Sequence, residues 1–270
     1  MKIQEVIDRI LAYHPALNRD VTCDGFKTGN PADECTGVVT TCCVSVEVIR
    51  KTIALGANLI LCHEPAFYLH YDPTDWLDGK NEVYDEKRAL CDEHGIAIWR
   101  DHDHLHSHKP DGIRYGLMKE LGWEDYLVGD ADKPIHFRLP ETTVRELAHF
   151  LKEKIGLNAV RVIGNLDGKV RGVVICGHIL HSPNNETAPT ELLNRDDVDV
   201  LIPGEAIDWT AVCYARDAGQ LGKNKAIISL GHINSEELGM KYAAVWVKEL
   251  VGDAVPVQYV RSADLYQYVY

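Results

Sequence analysis

Short apolar runs alternate with amphipathic segments along most of the chain. Residues 58–62 (NLILC) are apolar throughout, which is typical of a strand buried on both faces of a parallel sheet. We predict strands over residues 37–44, 58–62, 95–101, 135–139, 159–163, 172–176, 198–202, 226–230 and 255–260. We predict helices over residues 2–13, 45–55, 82–94, 111–121, 142–155, 207–218 and 235–250. This alternation predicts an α/β fold whose largely parallel sheet is covered by helices on both faces.

Local signals mark where helices begin and where the alternation stops. Ser45, Thr142 and Asn234 are predicted N-caps, because a short polar side chain can accept from the free backbone N–H groups of a first helical turn. Residues 69–80 form a loop rich in Asp, Gly, Pro and aromatic residues. Residues 123–134 form a polar connector, which we predict to be a domain boundary.

The net charge and the cysteines indicate which classes of protein fit the sequence. The 270 residues carry a formal net charge of −13, which disfavours a nucleic-acid binder because phosphate neutralisation needs a basic surface. No apolar run is long enough to predict a membrane span, and the amphipathic N-terminus does not resemble a signal peptide. We therefore expect reduced cysteines and a cytoplasmic location.

Two clusters of polar side chains follow neighbouring predicted strands, where α/β proteins place reactive groups. His63 and Glu64 follow residues 58–62, and the segment 101–108 (DHDHLHSH) follows the next strand. Imidazole and carboxylate are the usual ligands of zinc, manganese, iron and nickel, so the His-rich segment predicts a metal site. The alternative for each cluster is a solvated loop without a function.

Three further candidates lie in the second half of the chain. His232 and Glu236 are four residues apart, so both can reach one ion from the same face of a helix. The alternative is a hydrogen bond at a helix end. Glu205 follows residues 198–202 and could contact substrate, support a ligand, or simply lie near a helix N-terminus. His178 and His181 are either pocket residues or surface residues.

Other catalytic chemistries fit the sequence less well. It contains no G-x-S-x-G elbow, no Walker A loop and no G-x-G-x-x-G after a strand. Cys62 beside His63 could indicate a thiol nucleophile, but adjacent residues at a strand end point to opposite sides. A metal site accounts better for the clusters.

Taken in order, these segments resemble the NGG-interacting factor three family, often labelled GTP cyclohydrolase 1 type 2 homologues. Residues 24–29 (DGFKTG) are similar to the family's N-terminal segment, and residues 57–65 (ANLILCHEP) to its strand that ends in His-His-Pro. Residues 102–106 (HDHLH) stand where the family has His-Thr-Asn-Leu-Asp. Residues 204–205 match its Gly-Asp/Glu turn, and residues 231–236 (GHINSE) match its final Gly-His…Glu motif.

The resemblance implies two interlocked α/β domains with mixed, largely parallel sheets. A second domain (129–231) is expected to be inserted into the first (1–128 and 232–270). The resemblance also implies a homo-oligomer, often a hexamer, and a dinuclear centre of two divalent ions of zinc, manganese, iron or nickel. By position, the implied ligands are His63, Glu64, His106, His232 and Glu236, with His102 at or beside the site.

Two of these positions depart from the family pattern. Glu64 stands where the family has its second histidine, and His106 stands where it has the aspartate that bridges the metals. A neutral imidazole binds one metal through one nitrogen, so His106 should not bridge. We hypothesise that Glu64 supplies the carboxylate that His106 cannot.

Together these expectations describe a metal-dependent hydrolase in which two ions lower the pKa of a bound water molecule. His102, His104 and Glu205 are the candidate proton carriers or substrate contacts. The family label implies cyclohydrolase action on a guanine nucleotide, while a phosphoester or amide would suit the same centre. The alternatives are a non-catalytic metal-binding ring or assembly protein and, against the charge, an enzyme that acts on nucleic acid.

Overall fold

A computed structural model describes residues 1–17, 21–180 and 186–269 of the chain. Over these residues the chain forms two compact units, each with a five-stranded mixed sheet covered by helices. Unit 1 comprises Met1–Gly116 and Gly239–Ala263, and unit 2 comprises Leu117–Leu238 and Asp264–Tyr270. The predicted α/β class, with mixed sheets and covering helices, is confirmed.

The strands of unit 1 are β1 (Gly25–Thr28), β2 (Val38–Thr41), β3 (Leu59–Cys62), β4 (Ala97–Arg100) and β10 (Val257–Tyr259). Their order in the sheet is β1-β4-β3-β2-β10, and β1 is antiparallel to β4 while the other neighbours are parallel. The helices that lie wholly in this unit are α1 (Ile3–Tyr13), α2 (Val46–Ala54), α3 (Glu82–Glu93) and α4 (Asp103–Ser107).

The strands of unit 2 are β5 (His136–Thr143), β6 (Arg161–Gly164), β7 (Lys169–Ile175), β8 (Val200–Ile202) and β9 (Ala226–Ser229). Their order is β5-β7-β8-β9-β6, with parallel pairing in the centre and antiparallel strands at both edges. The helices that lie wholly in this unit are α6 (Val144–Ile155), α7 (Ala188–Asn194) and α8 (Ala211–Gln220). The boundary between the units falls inside α5 (Gly112–Leu121) and α9 (His232–Val251).

Buried apolar residues explain the central strands and the amphipathic helices. All four residues of β3 are buried, as the apolar run predicts for a strand covered on both faces. In α1 the buried residues are Ile3, Val6, Ile7 and Ile10, which recur at helical spacing. Burying each such side chain contributes roughly 1.5–3 kcal/mol, an upper estimate because unfolded chains already bury some apolar surface.

The predicted helix starts fare differently. Ser45 caps α2 as predicted, because its side chain accepts a hydrogen bond from the backbone N–H of Val48. The prediction of Thr142 was wrong by one residue, since Thr143 caps α6 and forms a capping box with Glu146. The prediction of Asn234 was also wrong. It lies inside α9, where its side-chain amide donates to the carbonyl of Leu230.

Within the part of the chain that the structure describes, no helix combines the length and the apolar character that crossing a bilayer requires.

Candidate metal centre

In unit 1, two parallel strands end at the same edge of the sheet, and the candidate ligands follow them. β3 and β4 are paired so that Cys62 lies opposite Arg100. His63 is therefore the first residue beyond β3, and His102 follows two residues beyond β4. Because parallel neighbours present their carboxyl ends together, side chains far apart in sequence are brought together there.

The side chains of His63, His102 and His106 form one cluster at this edge. One ring nitrogen from each lies within 4.8 Å of the other two. The ring centroids are 4.5 Å apart for His63 and His102, 4.9 Å for His63 and His106, and 4.8 Å for His102 and His106. His63 is fully buried, whereas the other side chains are 22% and 28% exposed, so the cluster has a buried wall and an accessible side.

Each imidazole of this cluster has its Nδ1 atom held by an oxygen. The Nδ1 atom of His63 lies 3.2 Å from the backbone carbonyl oxygen of Asp101. The Nδ1 atom of His102 lies 3.0 Å from Oδ1 of Asp103, and that of His106 lies 2.9 Å from Oδ2 of Asp111.

These acceptors assign the proton to Nδ1 in all three rings. A carbonyl or a carboxylate oxygen can only accept, so Nδ1 must donate, and in the neutral ring the lone pair is then on Nε2. An oxygen that holds the outer nitrogen of a histidine is the usual support for a metal ligand. The donor set therefore fits a divalent ion that prefers nitrogen ligands, such as zinc.

The environment also favours the neutral imidazole, which is the form that binds metal. Burial, followed by the nearby rings of His106 and His102, holds the pKa of His63 well below its usual value. Burial likewise lowers the pKa of His102. Burial acts to raise the pKa of Asp111, but the hydrogen bond and charge of His106, together with the backbone N–H and charge of Arg114, outweigh this effect and the pKa is lowered.

Two of the three rings belong to helix α4 and its N-cap residue, His102, and a carboxylate distant in sequence caps the N-terminus of the helix. Oδ1 of Asp24 accepts from the backbone N–H groups of His102 and Asp103 at 2.7 and 2.8 Å, and Oδ2 accepts from that of His104 at 2.9 Å. His102 and His106 are four residues apart, so a helix presents both on one face. His104 is not part of this cluster, and its Nδ1 atom lies 2.6 Å from Oδ2 of Asp24.

Glu64 lies beside His63 and faces a buried arginine. One carboxylate oxygen of Glu64 lies within 4.8 Å of a ring nitrogen of His63. Its Oε2 atom lies 3.7 Å from Nη2 of Arg100, whose side chain is fully buried. Whether Glu64 takes over the role of the lost aspartate stays a prediction.

In unit 2, the other candidates follow three parallel strands, β7, β8 and β9. His178, Glu205 and His232 each follow one of these strands within three residues, so the same geometric rule brings them together. Glu236 is one helical turn beyond His232 in α9. The other histidine of this loop that we predicted, His181, lies outside the described residues.

The geometry around His232 also suits a metal ligand. Its Nδ1 atom lies 3.3 Å from Oε2 of Glu205, and its Nε2 atom lies 3.5 Å from Oε2 of Glu236. Neighbouring ligand atoms of a tetrahedral ion with bonds near 2.1 Å are separated by roughly 3.3–3.6 Å. The ring of His178 lies 3.9 Å from that of His232, and donor atoms of His178, His232 and Glu236 lie within 4.8 Å of one another.

Sequence reasoning named most of these residues but missed their supports. Asp103 and Asp111 hold the outer nitrogens of two rings; Asp103 lies in the predicted His-rich segment but was not assigned this role, and Asp111 was not a candidate. Asp103 had a readable signal, because it is adjacent to His102 in a helix-forming, ligand-rich segment. No sequence signal indicated that Arg100 is buried, since a charged residue inside a strand usually reaches solvent.

The fold brings imidazoles and carboxylates together at the ends of its strands. The protein is therefore an α/β protein with clusters of residues that can hold metal ions. The chain belongs to the Duf34/NIF3 (NGG1p interacting factor 3) family, whose model matches residues 1–264. The resemblance drawn from the sequence motifs is thereby confirmed.

The chain is also similar to curated relatives in sequence and to a solved structure in fold. The chain is 27% identical over 185 residues to the GTP cyclohydrolase 1 type 2 homolog of Lactococcus lactis, covering 64% of this chain and 69% of the relative. It is 24% identical over 248 residues to the protein of the same name from Clostridium perfringens, covering 87% of each. The crystal structure of Staphylococcus aureus protein SA1388 has the same fold, with a TM-score of 0.73, 18% identity, and coverage of 100% of this chain and 99% of that chain.

Proposed function

We propose that the protein is a metal-dependent hydrolase whose first ion is bound in unit 1 by the Nε2 atoms of His63, His102 and His106. The observation that carries the proposal is that all three rings have Nδ1 hydrogen-bonded to an oxygen. In each of these three rings the arrangement leaves the lone pair of Nε2 available to an ion, and a nitrogen of each ring lies within 4.8 Å of the other two.

The exposure of the cluster favours a catalytic site over a structural one. Structural zinc sites are closed by four protein ligands, while catalytic sites keep three and leave a position open. Here three imidazoles converge, and two of them are partly exposed. A divalent ion bound there supplies a Lewis acid and lowers the pKa of a water ligand toward neutrality.

The side chains around the cluster have separate roles in this proposal. His63 forms the buried wall, and its fixed ring sets the position of one ligand atom. His102 and His106 form the accessible side, where a substrate can approach. Glu64 supports the site with a carboxylate beside His63. His104, held by Asp24, and Glu205, close to His232, remain the candidate proton carriers.

We propose that His232 and Glu236 of unit 2 bind a second ion. His178 lies beside these two donors. The 3.5 Å separation of the His232 and Glu236 donor atoms supports this proposal. The resemblance implies that these residues and those of unit 1 serve one dinuclear centre, and that the protein is a homohexamer. Both remain predictions from the family pattern.

The names of the relatives supply the first substrate class to test. Two of them carry the name GTP cyclohydrolase 1 type 2 homolog, so a purine nucleoside triphosphate is the first substrate to test. The hydrolysis would open the imidazole ring of the base. Small phosphoesters and amides are the next classes, because the same site suits them.

The test is to measure metal per chain by mass spectrometry and GTP turnover on the same preparations. We compare the parent protein with His106→Ala and with His149→Ala, which replaces an exposed histidine on α6 that belongs to none of the donor clusters. The His106 variant should lose bound metal and turnover together, while the control keeps both. If the parent binds no metal after reconstitution with zinc, manganese, iron or nickel, the proposal is wrong.

A non-catalytic role as a metal-binding assembly protein is the competing function. It predicts the same metal loss in the His106 variant but no turnover of any substrate class by the loaded parent. Loaded parent protein that hydrolyses none of the three classes would favour it.

A further inference from the structure

Two buried cations hold the turn that carries His63 and Glu64. Nε of Arg100 donates to the backbone carbonyl of His63 at 2.9 Å. Nζ of Lys87, on α3, donates to the carbonyl of Ala66 at 2.5 Å and to the carbonyl of Val44 at 2.7 Å. The turn between β3 and the following loop is thus bonded at both of its ends.

The Arg100 side chain also contacts the loop after the turn and the Glu64 carboxylate. A second nitrogen, Nη1, donates to the carbonyl of His70 in the loop beyond it. The third, Nη2, lies 3.7 Å from Oε2 of Glu64. A guanidinium is planar with its donors in a rigid fork, so the hydrogen bonds from Nε and Nη1 fix the carbonyls of His63 and His70 relative to each other. The Nη2 atom attracts the Glu64 carboxylate electrostatically across 3.7 Å, without a hydrogen bond.

The lysine is held just as firmly. The residue is only 4% exposed, and burial lowers the pKa of its amine. The rings of Phe67 and Tyr68 lie 5.3 and 5.2 Å from Nζ, which is within the range of a cation–π contact. The amine therefore contacts three consecutive residues, 66–68, of the loop that follows Glu64.

Packing alone does not account for these two charges. Removing a charge from water is costly, and replacing a buried charge with an apolar side chain of similar size is often neutral or stabilising. A methionine could fill much of the space of Lys87 without that penalty. A methionine could not supply the two hydrogen bonds that connect the turn to Val44, in the segment between β2 and α2.

We propose that Lys87 and Arg100 are positioning residues of the metal centre, which place His63 and Glu64 by bonding the backbone on either side of them. The inference rests on the proposed function, because it assumes that His63 is a ligand. It goes beyond that function in naming residues that contact neither an ion nor a substrate yet set the geometry of the site.

The experiment uses the full chain with Co²⁺ as a spectroscopic probe. The variants are Lys87→Met and Arg100→Lys. The second keeps the positive charge but loses the forked donors of the guanidinium group. The matched control is Lys225→Met in unit 2, because Nζ of Lys225 also donates to two carbonyls, those of Arg195 at 2.6 Å and Val198 at 2.5 Å. Thermal unfolding of all three shows how much each change costs the fold.

We expect Lys87→Met and Arg100→Lys to weaken Co²⁺ binding by about tenfold or more, as loss of ligand support commonly does, and to shift the visible absorption bands. The control should lose a similar amount of stability and keep the parent affinity and bands. Parent-like affinity and bands in both test variants would overturn the proposal. If Lys87→Met does not fold, Arg100→Lys decides alone.

A second readout separates this inference from the proposed function. The imidazole ¹⁵N shifts of metal-free protein report which nitrogen of His63 carries the proton and how uniform its environment is. If the parent binds no Co²⁺, the proposed function fails, while altered His63 shifts in the two variants would still support positioning. Parent-like His63 shifts in both variants would count against positioning whatever the metal result.

Discussion

Oδ2 of Asp111 lies 2.9 Å from Nδ1 of His106, while Oδ1 of the same carboxylate accepts from the backbone N–H groups of Ile113 and Arg114 at 3.1 and 3.0 Å. One side chain therefore orients a candidate ligand and also satisfies the first turn of α5. The position of His106 is consequently tied to the start of a helix rather than to a flexible loop.

Replacing Asp111 should weaken metal binding without removing a ligand. In Asp111→Asn the charge that supports His106 is lost, so we expect affinity for zinc to fall by about 10- to 100-fold. Competition with a chromophoric chelator measures the change. Asp167→Asn is the control, because Asp167 pairs with Arg145 at 3.0 Å on the surface. Equal affinities in the two variants would argue against an orienting role.

Glu64→Ala tests the exchange of roles between positions 64 and 106. If Glu64 supplies the carboxylate lost at His106, a loaded parent with about two ions per chain should fall to one or none. Metal content by mass spectrometry provides the count. Glu141→Ala removes an exposed carboxylate that pairs with Lys169 and Arg171, and it should leave the count unchanged. A Glu64 variant with the parent count would show that the exchange hypothesis is wrong.

Asp24→Ala should reduce both stability and metal affinity. The carboxylate accepts from the backbone N–H groups of His102, Asp103 and His104 at the start of α4, and its loss removes this cap at a cost of about 0.5–2 kcal/mol. His102 is the N-cap residue of α4 and His106 lies within the helix, so their geometry should loosen as well. Urea unfolding and zinc affinity measure the two effects. Ser45→Ala removes the cap of α2 and should lower stability by about 1 kcal/mol with no change in affinity.

Thiol reactivity should divide the cysteines into two groups. Burial raises the pKa of Cys23 to about 12 and that of Cys91 to about 11, so their thiolate fraction near neutral pH is negligible. The cysteines that are partly exposed are Cys43, Cys176 and Cys213. Brief iodoacetamide treatment followed by peptide mass spectrometry should label only this second group. Modification of Cys23 or Cys91 in folded protein would contradict the burial described here.

Lys87 should make stability depend on pH in the alkaline range. Burial holds the folded-state pKa below 10.5, so between the two pKa values the unfolded chain binds more protons and the folded protein gains stability as pH rises. This contribution is fully present above about 10.5 and is lost as pH falls through the folded-state pKa. As pH rises from about 8 to about 10.5, the free energy of unfolding of the parent should therefore increase relative to that of Lys87→Met. A constant difference across that range would mean that the amine is not desolvated.

The sequence predicted the central framework because its signal is local. The run that became β3 is apolar at every position, and α1 repeats its apolar residues at helical spacing. Such patterns report burial directly, since each element must cover its apolar face. The strand-end rule then indicated that His63 and the His-rich segment lie at one edge of the sheet, whereas the proximity of His178, Glu205 and His232 was seen only in the structure.

Short or polar elements escaped prediction for physical reasons. Helix α4 has only five residues, which is too short for an apolar period, and it is stabilised by a carboxylate some 80 residues earlier in the chain. Strand β1 (GFKT) begins with glycine and has no apolar run, and it is held by pairing with β4. Long-range partners such as Asp24 cannot be read from local spacing.

The five-residue length of α4 also limits how this segment can vary among relatives. Each residue of a helix turns the side chain by about 100°, so a single insertion or deletion between His102 and His106 would carry one ring to a different face. The nearby loop 69–80 carries no candidate ligand, and most of its side chains are exposed. Insertions and deletions among relatives should therefore accumulate in residues 69–80, while residues 102–106 keep a constant length even where the ligand identities change.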